Sequence, residues 1–172
     1  MKETEILLRQ TENVYKQTNT LLQSVPYEKW DIMPDIMETT VNWQVGHLIV
    51  SHYYHSVWVI IGMQTDLLQT LPLKKYGVYF TSGSPNDSIG RFNPNELFRD
   101  LVFIQQKSIE ILSQLSDDIL EFPLEPTGFP HPIAKNKREA IEWNIQHTGY
   151  HCGQLGMLIR VINKRFDYGL RL

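Results

Sequence analysis

The sequence predicts an all-α fold, a four-helix bundle with a long crossover between the second and third helices. Four segments of about 20 to 28 residues repeat apolar side chains at intervals of three and four, the period of a helix with one buried face. No segment alternates apolar and polar residues as a half-buried strand does. Prolines and glycine-rich loop signals concentrate between those segments. One short and one long connection favour up-down-down-up order over a simple meander.

The first helix is expected over residues 3–24. Its stripe is Leu7, Thr11, Val14, Thr18, Leu21 and Val25, widened by Leu8, Tyr15 and Leu22, and Pro26 ends it. Residues 26–38 contain two prolines and read as a connection with one short turn. Thr39 or Thr40 is placed to cap a second helix that runs to Gly62, with Trp43, His47, Val50, Tyr54 and Trp58 on its inward face. The next thirty or so residues hold Pro72, Gly77, Gly83, Pro85, Gly90 and Pro94, a long connection suited to shaping a surface site. Asn93 caps the third helix with Pro94 at its first position, and Leu97, Leu101, Ile104, Ser108, Ile111 and Leu115 form its stripe. Five prolines and glycines between Pro123 and Pro132 forbid a helix interior. The last helix spans about Asn136 to Lys164, with Ala140, Asn144, His147, His151, Leu155, Leu158 and Ile162 along one face.

Residues 1–172 are read as one domain, long enough to bury about 70% of the surface its unfolded chain exposes. A formal net charge of -3 without a basic run gives no electrostatic basis for binding nucleic acid or an anionic membrane. The most apolar stretch, Trp43 to Met63, is interrupted by Gln44, His47, Ser51, His52, His55 and Ser56, too polar for a membrane span. The N-terminus lacks the apolar core of a secretory signal, and a single cysteine excludes an internal disulfide framework, so a reducing cytoplasm is the expected compartment.

His147 and His151 lie four residues apart, one above the other on a single helix face. With His47, which joins them if the second and fourth helices are neighbours, they would supply three neutral imidazoles to one zinc-like ion and leave a coordination position open. Without a metal, each ring would need hydrogen-bond partners inside a dry core. His52 and His55 are five and eight positions from His47; His55 is placed to line a pocket rather than to chelate the same ion. His131 sits in the proline-rich loop, within reach of a cavity mouth. The residues three before the candidate ligands are Gln44, Asn144 and Thr148, which disfavours a carboxylate-bridged di-iron centre. There is no His-Glu-x-x-His arrangement, which argues against a zincin peptidase. Cys152 is rotated by about a hundred degrees from His151 and reads as structural, while Gly149, Gly153 and Gly156 permit close helix packing.

Two segments carry a resemblance. Trp43-Gln44-Val45-Gly46-His47-Leu48 and His147-Thr148-Gly149-Tyr150-His151-Cys152-Gly153-Gln154-Leu155 resemble the two histidine elements of the DinB/YfiT-like superfamily, whose four-helix proteins carry a late His-x-x-x-His followed by Arg-Gly-Gln. Cys152 stands where arginine is common and Tyr150 where histidine often appears. The resemblance implies that His47, His147 and His151 ligate one divalent ion, zinc or nickel. It implies a low-molecular-weight thiol and a small electrophile as partners, and a homodimer. On that basis the expected activity is metal-dependent thiol transfer, with Asn144 orienting water or substrate. Metal-dependent hydrolysis and a non-enzymatic dimeric binding scaffold are the alternatives.

Overall fold

Burial of four long amphipathic segments dictates the architecture. The computed structural model describes residues 2–169, and all of its regular structure is helical apart from one isolated antiparallel bridge between Pro123 and Asn136. The long helices are α1 (Glu3–Gln23) and α2, which runs Val41–Tyr53, widens into a π-helical turn at Tyr54–Trp58 and closes at Val59–Ile61. Three short helices follow: α3 (Thr65–Thr70), α4 (Leu73–Gly77), itself extended by a π-helical turn at Val78–Ser82, and α5 (Pro85–Ser88). The remaining long helices are α6 (Pro94–Ser113) and α7 (Lys137–Ile162).

Local chemistry sets the boundaries. Thr40, rather than Thr39, caps α2, its hydroxyl accepting from the Trp43 amide at 3.0 Å. Asn93 accepts from Asn95 N at 2.9 Å with Pro94 opening α6, and Asn136 accepts from Glu139 N at 2.9 Å to open α7. The stretch expected as loop after Gly62 is instead largely helical, because Leu67, Leu71, Leu73, Tyr76 and Phe80 bury themselves against the main core. Tertiary packing supplies what short helices lack on their own.

Both α1 and α2 pack against α6 and α7. Contacts from Thr4 to Asp117, Tyr15 to Ser108 and Asn19 to Gln105 make α1 and α6 run in opposite senses. Contacts from Tyr15 to Asn144 and Ser24 to Asn163 make α1 and α7 run in the same sense. Gln44 meets His151 and His52 meets Asn144, so α2 opposes α7.

The inward face of α2 differs from the sequence expectation. Val41, Val45, Leu48, Ile49, His52 and Ser56 face the core, while Trp43, His47, Val50, Tyr54 and Trp58 are half-buried. Because the helix is apolar on most of its circumference, its stripe was ambiguous. The half-buried face instead looks onto cavities.

Two apolar clusters sit at opposite ends. One gathers Leu21, Leu22, Trp30, Leu48, Phe80, Leu101 and Leu155; the other Leu7, Ile60, Leu112, Leu120 and Ile141. A polar layer lies between them. Asn144 Nδ2 donates to Tyr15 Oη at 2.9 Å, Tyr15 Oη pairs with Ser108 Oγ at 3.0 Å, and His52 Nδ1 donates to Asn144 Oδ1 at 3.1 Å. These contacts join α1, α2, α6 and α7 at one level, satisfying groups that would be costly to bury alone.

Asn144→Ala removes the hub of this layer and strands His52 Nδ1 in the core. A loss of about 2–3 kcal/mol is expected in urea denaturation; an unchanged midpoint would show that the layer contributes nothing.

Candidate metal centre

The antiparallel pairing of α2 with α7 brings His47 to the His147–His151 pair. One ligand nitrogen from each of the three rings lies within 4.8 Å of the others. The ring centroids are 5.3 Å apart for His47 and His147, 4.8 Å for His47 and His151, and 4.5 Å for His147 and His151.

Second nitrogens determine which atoms face the centre. His47 Nδ1 lies 2.8 Å from the Phe80 carbonyl, which can only accept, so Nδ1 carries the proton and Nε2 keeps its lone pair. Gln44 Nε2 donates to Thr39 Oγ1 at 3.0 Å, leaving Gln44 Oε1 to accept from His151 Nδ1–H. His151 Nε2 is thereby turned toward His147 Nε2, 3.0 Å away. Lone pairs at that distance repel unless a proton or a cation lies between them. A zinc ion with bonds of about 2.0–2.1 Å holds its nitrogens slightly farther apart than this, whereas the three nitrogens together span up to 4.8 Å, so the donor set is compatible with a divalent ion once the rings draw in around it. The outward bonds to a carbonyl and an amide are the usual second layer of a histidine metal site.

Gly46 makes the His47 bond possible. A Cβ on residue 46 would fall 2.1 Å from Phe80 Cδ2, so only glycine lets the fully buried Phe80 ring lie against α2. Phe80 belongs to the π-helical turn after α4, and its placement delivers the carbonyl to His47. Trp43 stacks on His47 at 5.2 Å and Trp143 on His147 at 5.6 Å, which restricts the rotation of both imidazoles.

Two cavities flank the centre. One, of about 550 Å³, is lined by His47, His147, His55, Tyr54, Trp58, Phe129 and Trp143 among others. The second, of about 920 Å³, reaches His151 and Gln44 past Trp43, Tyr150 and Met157.

All six histidines of the chain belong to this neighbourhood. His55 Nδ1 meets His131 Nε2 at 2.7 Å, and the His55 and His147 rings are 5.7 Å apart. Burial is the first cause holding every one of them below the ordinary imidazole value: His147 to about 4, His151 and His52 to about 3, His55 to about 2, with His47 and His131 also lowered. Neighbouring imidazoles push in the same direction for His52, His55, His147 and His151, because two positive rings cannot share a dry site. The rings are therefore neutral at neutral pH, the form in which imidazole ligates a metal.

Asn144, expected to orient water or substrate, is 1% exposed and turned into the polar layer beneath the centre, against Tyr15 and His52. His52 itself is fully buried, its Nε2 without a hydrogen-bond partner. Cys152 faces α1, within reach of Thr18, and burial raises its thiol pKa. Gly149 comes closest to α1, where a Cβ would sit 3.9 Å from Val14, but Gly153 is open and needs no small residue for packing. Sequence reasoning missed Gln44, Gly46 and Phe80 as supports, and the His55–His131 pair. Gln44 and Gly46 carried a signal, lying three and one residues before His47; Phe80, across the connection, carried none.

The family model of the DinB superfamily matches residues 10–155. The chain belongs to the DinB superfamily. No curated protein matches it. The matched span of this DinB superfamily chain takes in His47, His147 and His151 with Gln44, Gly46 and Phe80, and its histidine cluster is compatible with the metal binding typical of the superfamily. No helix among its described residues is long and apolar enough to cross a membrane.

Two outcomes follow for this DinB superfamily protein. Gly46→Ala drives a methyl into Phe80 and costs about 1–3 kcal/mol, less the roughly 1 kcal/mol that alanine gains in a helix, together with a fall in zinc affinity by titration. Loss of neither would remove Gly46 from the account. The lowered imidazoles bind fewer protons folded than unfolded, so in chelator stability is full above about pH 6.5 and falls as the pH drops toward about 3. Each ring contributes at most about 1.4 kcal/mol per pH unit; denaturation midpoints that stay level from about pH 7 to about pH 5 would contradict this.

Proposed function

We propose that this chain is a divalent-metal-dependent transferase that joins a low-molecular-weight thiol to a small electrophile. The observation that carries the reading is the convergence of His47, His147 and His151 with the outward nitrogens of His47 and His151 already committed to the Phe80 carbonyl and to Gln44. Imidazole donors suit zinc and nickel alike. The ion, when bound, supplies a Lewis acid that favours the thiolate form of a thiol at neutral pH.

The protein's own residues do the rest. His47, His147 and His151 would hold the ion, and the flanking cavities would be the approach for reactants. Trp43 and Trp143 keep the first two rings from turning away. Tyr54, Trp58, Phe129 and Trp143 line a mainly apolar cavity that favours an organic reactant over water. The S–H bond and one π bond of the electrophile break, sulfur bonds to the electrophilic carbon, and the thiol proton ends on the other atom of that π bond, so no group leaves. Asn144 acts as a positioning residue through His52 and Tyr15 rather than by touching reactants.

The helix senses support an up-down-down-up four-helix bundle, with α3, α4 and α5 as the long crossover. Homodimerisation is supported by the exposed Tyr150, Met157 and Val161, which share one face of α7. A cytoplasmic protein is the setting that fits a thiol partner.

Metal content after purification without a histidine tag tests the proposal. The parent should carry about one equivalent, and His147→Ala and His151→Ala should each lose it. Absence of metal from the parent, even after reconstitution with zinc or nickel, would leave a folded binding scaffold with hydrogen-bonded histidines.

A further inference from the structure

His55 and His131 stand outside the three-nitrogen cluster, yet their hydrogen bonds form a directed chain. The backbone amides of Ile133 and Ala134 both point at His131 Nδ1, at 3.2 and 2.8 Å. That nitrogen must accept, so the proton of the neutral ring is on Nε2. His131 Nε2–H then donates to His55 Nδ1 at 2.7 Å. His55 must in turn carry its own proton on Nε2. Two main-chain amides thus dictate, through two rings, the tautomer of a side chain that lines the 550 Å³ cavity.

The loop that carries His131 is held in place. Glu125 N donates to the Val59 carbonyl at 2.9 Å, and the buried Lys137 ammonium meets Glu125 at 2.8 Å. Tyr54 stacks on both Phe129, at 5.7 Å, and His131, at 5.4 Å. The π-helical turn at Tyr54–Trp58 presents Tyr54, His55 and Trp58 together; such turns concentrate at functional sites. The cavity therefore has flat aromatic walls from Tyr54, Trp58, Phe129 and Trp143. Among the described residues Lys74 is the one ammonium that lines it, and it is exposed to solvent.

We propose that this cavity binds a flat, uncharged apolar molecule carrying a carbonyl oxygen, and that His55 Nε2–H donates the hydrogen bond that orients it. The inference deepens the transfer reading by naming the class of electrophile, an aryl or conjugated carbonyl compound, and rests on that reading only for what happens after binding. Aromatic walls select the flat body, and the imposed tautomer selects an acceptor over a donor. His131 is a positioning residue that acts through His55.

Acetophenone and α-methylstyrene share shape and differ in the acceptor, so their affinities by ligand-observed NMR isolate the hydrogen bond. In the parent protein the ketone should bind about tenfold more tightly. His55→Phe should abolish that preference while leaving α-methylstyrene affinity within about twofold. His131→Phe, which keeps the His55 side chain, should cut the preference by about threefold or more and so guards against a folding defect in the first variant. Equal affinities in the parent, binding of neither compound, or a preference that survives both variants would overturn the proposal. Zinc and nickel content measured on the same samples separates the two readings. Ketone preference without any capacity for metal sinks the metal centre alone, whereas a metal-loaded protein without the preference sinks this proposal alone.

Discussion

The hydrogen bond from His47 Nδ1–H to the Phe80 carbonyl joins the long connection to the helices that carry the centre. Much of the site depends on that joint. It needs the Phe80 ring seated on α2, which needs Gly46. It also needs the turn after α4 to bring a carbonyl to the helix surface. In return it sets the tautomer of His47 and turns Nε2 toward His147 and His151. The missing side chain of one glycine thus reaches, in three steps, the chemistry of a nitrogen lone pair.

Burial of imidazole has two sides here. Desolvation keeps the rings neutral, which is what a cation requires of them. The same desolvation makes an unpaired nitrogen expensive, so the fold supplies partners: a backbone carbonyl accepts from His47, Gln44 from His151 and Asn144 from His52, while His55 accepts from a histidine that is itself governed by two amides. The polar layer of Tyr15, Ser108, Asn144 and His52 lies below the centre and ties four helices at one level. It separates two apolar clusters and gives the α2–α7 pair a specific register, which is the relation the histidines need.

The long helices were legible because their signals are local. Caps at Thr40, Asn93 and Asn136 and the three-and-four spacing of α1, α6 and α7 depend only on residues close in sequence. The His147–His151 pair was legible for the same reason. The inward face of α2 was not, since Val45, Leu48 and Ile49 compete with Trp43, Val50 and Trp58 for one helix and only tertiary packing chooses. The helical character of residues 65–88 was hidden by glycine and proline, and it arises from burial of Leu67, Tyr76 and Phe80 against distant helices. Asn144 looked like a site residue because it lies one turn before His147. Its side chain points into the polar layer, a direction that spacing alone does not specify.

Tautomeric state is the most direct measure of a site arranged in advance for a cation. Long-range proton–nitrogen correlation spectra of the metal-free protein, with side-chain nitrogens of histidine labelled, read it ring by ring at neutral pH. Nδ1–H is expected for His47 and His151, and Nε2–H for His131 and His55. A spectrum with the His47 proton on Nε2, or with His47 and His151 protonated at neutral pH, would contradict it.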